Sequence, residues 1–194
     1  MRISGGLARG IPLLVPKGDA VRPATDGMRQ AVFSSLITRV PGARFLDLFA
    51  GSGGYGLEAF SRGATGGMFV EKNAKAAACV RQNIAAVGKS MKAATDTLHV
   101  SVADAVQVPW VESAPPDLVF IDPPYELITE VAPRLFSRLT ELLAPHTDPV
   151  IIFEMPGELT LEPPGWTCVK RLGKGAHQPT VAFYRRVTSC PASP

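Results

Sequence analysis

Asp122-Pro123-Pro124-Tyr125 closes the apolar run Leu118-Val119-Phe120-Ile121. Two prolines fix the backbone there and bring no N–H, so the tetrapeptide offers carbonyl oxygens and the Asp122 carboxylate as acceptors beside an aromatic face. That set suits an exocyclic amino group on a flat heterocycle, which needs two acceptors for its two hydrogens and a ring to stack on. Such an amine is a poor nucleophile because its lone pair is delocalised into the ring. Acceptors on its hydrogens stabilise the positive charge that grows as nitrogen attacks a methyl group, and they hold the nitrogen in line. Asp122 and the Pro123 carbonyl are the candidate acceptors.

A second segment, Asp47-Leu48-Phe49-Ala50-Gly51-Ser52-Gly53-Gly54-Tyr55-Gly56, ends an earlier apolar run and opens a helical pattern. Glycines there let the backbone turn tightly and approach a ligand, while the helix N-terminus supplies unpaired N–H groups. Glu71 follows 20 residues after Gly51, where a carboxylate can accept both hydroxyls of a ribose. The pair of features fits an adenosine cofactor without naming it. Gly51, Gly53 and Gly56 also fit G-x-G-x-x-G, so a dinucleotide-dependent oxidoreductase stays open on this motif alone.

Short apolar strands alternating with helical stretches must position these segments. Strands are expected at 44–49, 68–71, 98–102, 118–122 and 150–155, with helices at 56–62, 73–87 and 127–143. This alternation predicts an α/β fold, a mostly parallel sheet with helices on both faces. In such a sheet, ligands sit beyond the carboxyl ends of the strands, which puts the glycine segment and Asp122-Pro123-Pro124-Tyr125 on one crevice. Runs 166–172 and 180–186, joined by a glycine-containing loop, read as a closing antiparallel hairpin. Residues 1–42 have a different texture: strand-like pieces at 2–4 and 11–15, then a helix from Thr25 to Thr38 ended by Pro41-Gly42. The expected organisation is a basic N-terminal extension over 1–42, a hairpin and a helix packed on the core, then a catalytic domain over 43–187 and a frayed tail over 188–194.

The chain has 194 residues, 46% hydrophobic and 19% charged, which is enough for one packed domain and excludes a disordered tail. Its apolar runs are far shorter than the roughly 20 residues of a membrane helix, and no apolar leader follows Met1, so a cytoplasmic protein is expected. Cys79, Cys168 and Cys190 form no C-x-x-C pair, and His99, His146 and His177 have no ligand or triad spacing, so no metal is expected. No G-x-S-x-G elbow occurs. Net charge is +3, but residues 1–44 carry seven basic against two acidic side chains. A basic arm attracts a polyanion through phosphate contacts, with Arg2, Arg9, Lys17 and Arg29 as candidate RNA contacts. A non-catalytic RNA-binding module would use that arm alone and leave Asp122-Pro123-Pro124-Tyr125 without a purpose.

The runs FLDLFAGSGGYGLEAFSRGA, FVEKN and DLVFIDPPY closely resemble the class I S-adenosylmethionine-dependent methyltransferases that modify exocyclic amines. With MRISGGLARG and RPATDGMRQAVFSSL added, the chain resembles, from Met1 to about Arg186, the RsmD family of bacterial 16S rRNA guanine-N2 methyltransferases. The resemblance implies a Rossmann-like, seven-stranded methyltransferase sheet with S-adenosylmethionine over its first two strands. Asp47 and Asp122 would flank the cofactor. Ala50, Gly51, Ser52 and Gly53 would cradle its methionine part, Glu71 with Lys72 its ribose, and Asp104 with Ala105 its adenine edge. Arg22 and Thr25 would lie at the methionine end, where Arg22 could pair with the carboxylate. Asp122, Pro123, Pro124 and Tyr125 would be catalytic, and the partner would be 16S rRNA, within a small-subunit assembly particle, met by a monomer. An adenine-N6 DNA methyltransferase shares DPPY and is the nearer alternative; a chain of this length leaves little room for the separate target-recognition domain it would need.

Overall fold

Burial on both faces requires strands that are apolar throughout, and the central strands of the computed structural model meet that requirement. Residues 1–16, 26–107, 115–173, 175 and 178–187 are described. Their seven strands are β1 (Arg44–Leu48), β2 (Gly66–Val70), β3 (Leu98–Ser101), β4 (Leu118–Ile121), β5 (Val150–Pro156), β6 (Trp166–Leu172) and β7 (Pro179–Arg186). They form one sheet in the order β3-β2-β1-β4-β5-β7-β6. The first five are parallel, and β7 runs antiparallel between β5 and β6. The order reverses between β1 and β4, the switch point at which open α/β sheets leave a crevice beyond the strand ends.

Helices cover both faces. Helix α1 (Asp26–Ser35), α2 (Gly54–Ser61) and α3 (Ala74–Met91) lie over Phe45, Phe69 and Phe120, while α4 (Ile128–Leu142) packs over Leu46, Leu48, Val119 and Ile121. Asn73 caps α3, its side-chain oxygen accepting from the Lys75 and Ala76 amides at 2.9 and 3.2 Å. Gly56 lets α2 approach the sheet, since a β-carbon there would stand 2.4 Å from Phe69 and 2.5 Å from Phe45.

The expected strands and helices recur with shifted ends, and the N-terminal pieces pair over a shorter stretch than expected. Residues 2–4 and 11–15 form no ladder; a single antiparallel bridge joins Arg2 to Pro12, with Ile3 N–H donating to the Ile11 carbonyl at 2.9 Å. The Gly10 and Leu13 amides add bonds to the Ile3 and Met1 carbonyls at 2.8 and 3.1 Å, and Gly6 and Gly10 turn the chain through positive φ of 78° and 90°, so the two pieces meet as a short hairpin. Helix α1 stops at Ser35 rather than Thr38. Lys17, Arg22, Thr25 and the expected tail lie outside the described residues.

The N-terminal segment is held by a buried charge cluster. Glu58 of α2 is fully buried; its oxygens accept from the Ser4 amide and hydroxyl, both at 2.7 Å, and pair with Arg62 at 2.8 Å and Arg29 at 3.4 Å. Arg29, expected on RNA phosphates, is instead 1% exposed, donating also to Asp26 and to the Arg2 carbonyl. The sequence pattern could not separate it from Arg2 and Arg9, which are exposed. Breaking a buried pair leaves an uncompensated charge, so Arg29→Ala should lower unfolding free energy by roughly 3–5 kcal/mol. Urea unfolding should show Arg9→Ala changing it by less than about 0.5 kcal/mol.

Candidate active site

The β1–α2 connection is a strained turn pinned on several sides. Phe49, Gly51 and Gly53 take φ of 59°, 56° and 80°. A side chain at Gly53 would meet Phe69, Leu57 and Val80 at 3.2–3.3 Å besides the strained backbone. Asp47, buried one residue before the end of β1, accepts the Gly56 amide at 2.9 Å. Glu71, just past β2, accepts the Gly51 amide at 2.9 Å and the Asn73 amide at 2.7 Å, so its carboxylate is oriented toward the turn. From the other side, the buried Asn83 of α3 donates to the Ser52 carbonyl and the Leu14 carbonyl, both at 2.9 Å, and accepts the Leu14 amide at 2.8 Å. One amide side chain therefore ties the N-terminal segment to the glycine turn.

Across the switch point, the Asp122 amide donates to the Leu48 carbonyl at 3.4 Å, bringing the end of β4 beside the glycine turn. Asp122 is partly buried, Pro123 buried, and Tyr125 opens a 3-10 turn with 40% of its surface exposed. A flat group could lie on that ring. Glu154, on the neighbouring β5, is 3% exposed and accepts the Tyr55 hydroxyl at 2.8 Å; Tyr55 in turn stacks on Phe120, centroids 5.4 Å apart.

Four carboxylates thus line the carboxyl edge of β2, β1, β4 and β5: Glu71, Asp47, Asp122 and Glu154. Burial pushes Asp47 up to about 8, against the pull of the Gly56 amide and with a smaller push from Glu71. Asp122 is raised by burial, then by Glu154 and Asp47. Glu154 is raised by burial, while the Tyr55 hydroxyl and the Arg29 charge favour its ionised form. Burial pushes the Tyr125 phenol up to about 12, with Glu154 and Asp122 adding to the effect. The ring is neutral at any physiological pH.

The structure brings Asp47, Ala50, Gly51, Ser52, Gly53, Glu71, Asp122, Pro123, Pro124 and Tyr125 to one edge of the sheet. Asp104 and Ala105 follow β3 beside them; Ala105 is buried, and Asp104 pairs with the exposed Lys72 at 3.6 Å. Sequence reasoning missed Asn83 and Glu154 and left Tyr55 without a role. A signal existed for Glu154, a lone carboxylate inside the apolar run VIIFEMP. None existed for Asn83, one polar residue among many on a helix.

The strand order with its antiparallel final hairpin, and the site at the switch point, define the class I methyltransferase fold. The family described as Conserved hypothetical protein 95 matches residues 1–185. Ribosomal RNA small subunit methyltransferase D of Haemophilus influenzae is 30% identical over 177 residues, covering 90% of this chain and 89% of that protein. Its Escherichia coli counterpart is 36% identical over 125 residues, covering 64% of this chain and 60% of the relative's length. The solved structure of yhhF from Escherichia coli superposes with a TM-score of 0.75 at 30% identity, covering 96% of this chain and 97% of the other. The chain belongs to the ribosomal RNA small subunit methyltransferase D family.

A buried carboxyl that keeps its proton in the folded chain, and releases it in the unfolded chain, destabilises the fold as pH rises from about 4, its unfolded value, toward its folded one. For Asp47 that window closes at about 8. Asp47→Asn retains an acceptor for Gly56 and removes the titration. Urea midpoints across this range should therefore fall less steeply with pH in the variant than in the wild type; parallel profiles would contradict the shift.

Proposed function

We propose that the protein transfers a methyl group from S-adenosylmethionine to the exocyclic N2 of a guanine in 16S rRNA. The observation that carries this reading is the meeting of the glycine turn with Asp122-Pro123-Pro124-Tyr125 at the switch point, joined by the Asp122–Leu48 backbone bond. Membership of a small-subunit rRNA methyltransferase family supports it. The residues present fit the cofactor: the Gly51 backbone is free of a β-carbon, Glu71 is held facing the turn by two amides, and Ala105 gives a small buried wall after β3. When bound, the cofactor supplies an electrophilic methyl group on a sulfonium.

The chain's own groups do the rest. Ala50, Gly51, Ser52 and Gly53 would hold the methionine part, Glu71 with Lys72 the ribose, and Asp104 with Ala105 the adenine edge; Arg22 and Thr25 would reach the methionine end. Asp122 and the Pro123 carbonyl accept the two amine hydrogens, orient the nitrogen lone pair toward the methyl, and stabilise the positive charge that forms on nitrogen. The amine becomes acidic once alkylated, so its proton leaves after transfer, and the nearby carboxylates are available to accept it. Tyr125 stacks on the extruded base, whose removal from its helix costs a few kcal/mol. The exposed Arg2 and Arg9, with Lys17, supply phosphate contacts to a 16S rRNA partner in a small-subunit assembly particle.

Asp122→Ala should reduce methyl transfer to rRNA by about 100-fold or more, the loss expected for a transition-state acceptor. Its affinity for S-adenosylmethionine, followed by calorimetry, should stay within about threefold, less than 1 kcal/mol. A variant with full activity would contradict the role given to Asp122.

A further inference from the structure

We infer that Glu154 distinguishes guanine from adenine, its carboxylate accepting the N1–H of the target guanine while Asp122 and the Pro123 carbonyl hold the adjoining N2 amine. This rests on the guanine-N2 reading above.

Three observations support it. In the parallel pairing of β4 with β5, the last registered pair is Ile121 with Phe153, so Asp122 and Glu154 are the next residues of neighbouring strands, which run about 4.8 Å apart. Registered neighbours point to the same face, so an acceptor for one donor of a base edge stands beside an acceptor for the next. The second observation is the state of the carboxylate itself. Glu154 is 3% exposed, and its Oε2 accepts the Tyr55 hydroxyl at 2.8 Å. A carboxylate so little exposed is costly to the fold unless donors satisfy it, and one hydroxyl leaves it acceptor capacity for a further donor. The third is its support: Tyr55 is locked between Phe33 and Phe120, with centroids at 6.4 and 5.4 Å, and fixes the direction of the carboxylate.

The discrimination follows from the two purine edges. Guanine places an N1–H donor directly beside its N2 amine, so a row of two carboxylates meets a row of donors. Adenine places an N1 lone pair beside its N6 amine, and that lone pair would face the Glu154 oxygen with no proton between them. Asp122 alone would accept either amine. The second carboxylate makes the site reject adenine by unpaired acceptors rather than by shape, a strong form of discrimination because the mismatch is buried.

2-Aminopurine separates the two functions, because it keeps the 2-amine and has a lone pair at N1. Small-subunit RNA carrying either guanine or 2-aminopurine at the position labelled by the wild-type protein, assembled with subunit proteins, gives a ratio of kcat/KM values within one enzyme preparation. The wild type should favour guanine by about 10- to 100-fold, the discrimination of a good bidentate contact. Glu154→Gln, whose amide can donate to the N1 lone pair, should bring that ratio down at least fivefold, whatever its absolute rate. Glu158→Gln, which removes the exposed carboxylate acting on Tyr125, should leave the ratio unchanged. A wild-type ratio near one, or an undiminished ratio in Glu154→Gln, overturns the inference. If Glu154→Gln does not fold, Glu154→Asp, with its carboxylate drawn back by one methylene, must lower the ratio or the inference fails. Wild-type protein that leaves no N2-methylguanosine on guanine RNA would instead overturn the underlying reading.

Discussion

Gathering carboxyl groups side by side at a poorly solvated edge is the constraint around which this molecule is arranged. The reversal of strand order between β1 and β4 brings Glu71, Asp47, Asp122 and Glu154 to one edge of the sheet. Each needs a separate answer to its desolvation. Glu71 takes two backbone amides of the turns that follow β1 and β2. Asp47 takes the Gly56 amide and rises to about 8, so it is largely neutral near pH 7. Glu154 has the Tyr55 hydroxyl and the field of Arg29. Asp122 accepts no side-chain hydrogen bond from the described residues, and burial and two carboxylate neighbours raise it. In the proposed reaction its missing partners are the amine hydrogens of the substrate.

Arg29 connects this edge to the N-terminal segment. Its guanidinium contacts Glu58, Asp26 and the Arg2 carbonyl, and its charge also reaches Glu154 and Tyr55. Asn83 makes a second connection, between Leu14 and the glycine turn. Ile3, Ala8 and Leu13 share the core that contains α1, α2 and α3. Residues 1–16 are therefore tied to the glycine turn by polar bonds as well as by packing, and loss of either tie would disturb the turn as well as the arm.

Much of this was legible in the chain. Period and composition marked β1, β4, β5 and the helices between them, because strands buried on both faces cannot be anything but apolar. The glycine turn and Asp122-Pro123-Pro124-Tyr125 announced themselves by residues that are poor choices for ordinary packing. What escaped depended on distance in three dimensions. Arg29 reads as one more basic residue in a basic arm, and only the meeting of α1 with α2 shows that Glu58 buries it. Tyr55 could be ligand contact or packing until its hydroxyl is found on Glu154, 99 residues away. The N-terminal strand-like runs do meet, at the Arg2–Pro12 bridge, and their extent as strands was not legible because local β-propensity says nothing about how many backbone bonds will form.

The central claim is the identity of the methylated atom. Purified protein incubated with radiolabelled S-adenosylmethionine and, separately, small ribosomal subunits, free rRNA and duplex DNA from cells lacking this activity, followed by nucleoside analysis, reads it directly. Label recovered as N2-methylguanosine in 16S rRNA is the predicted result. Label recovered as N6-methyladenine, in RNA or DNA, would contradict it.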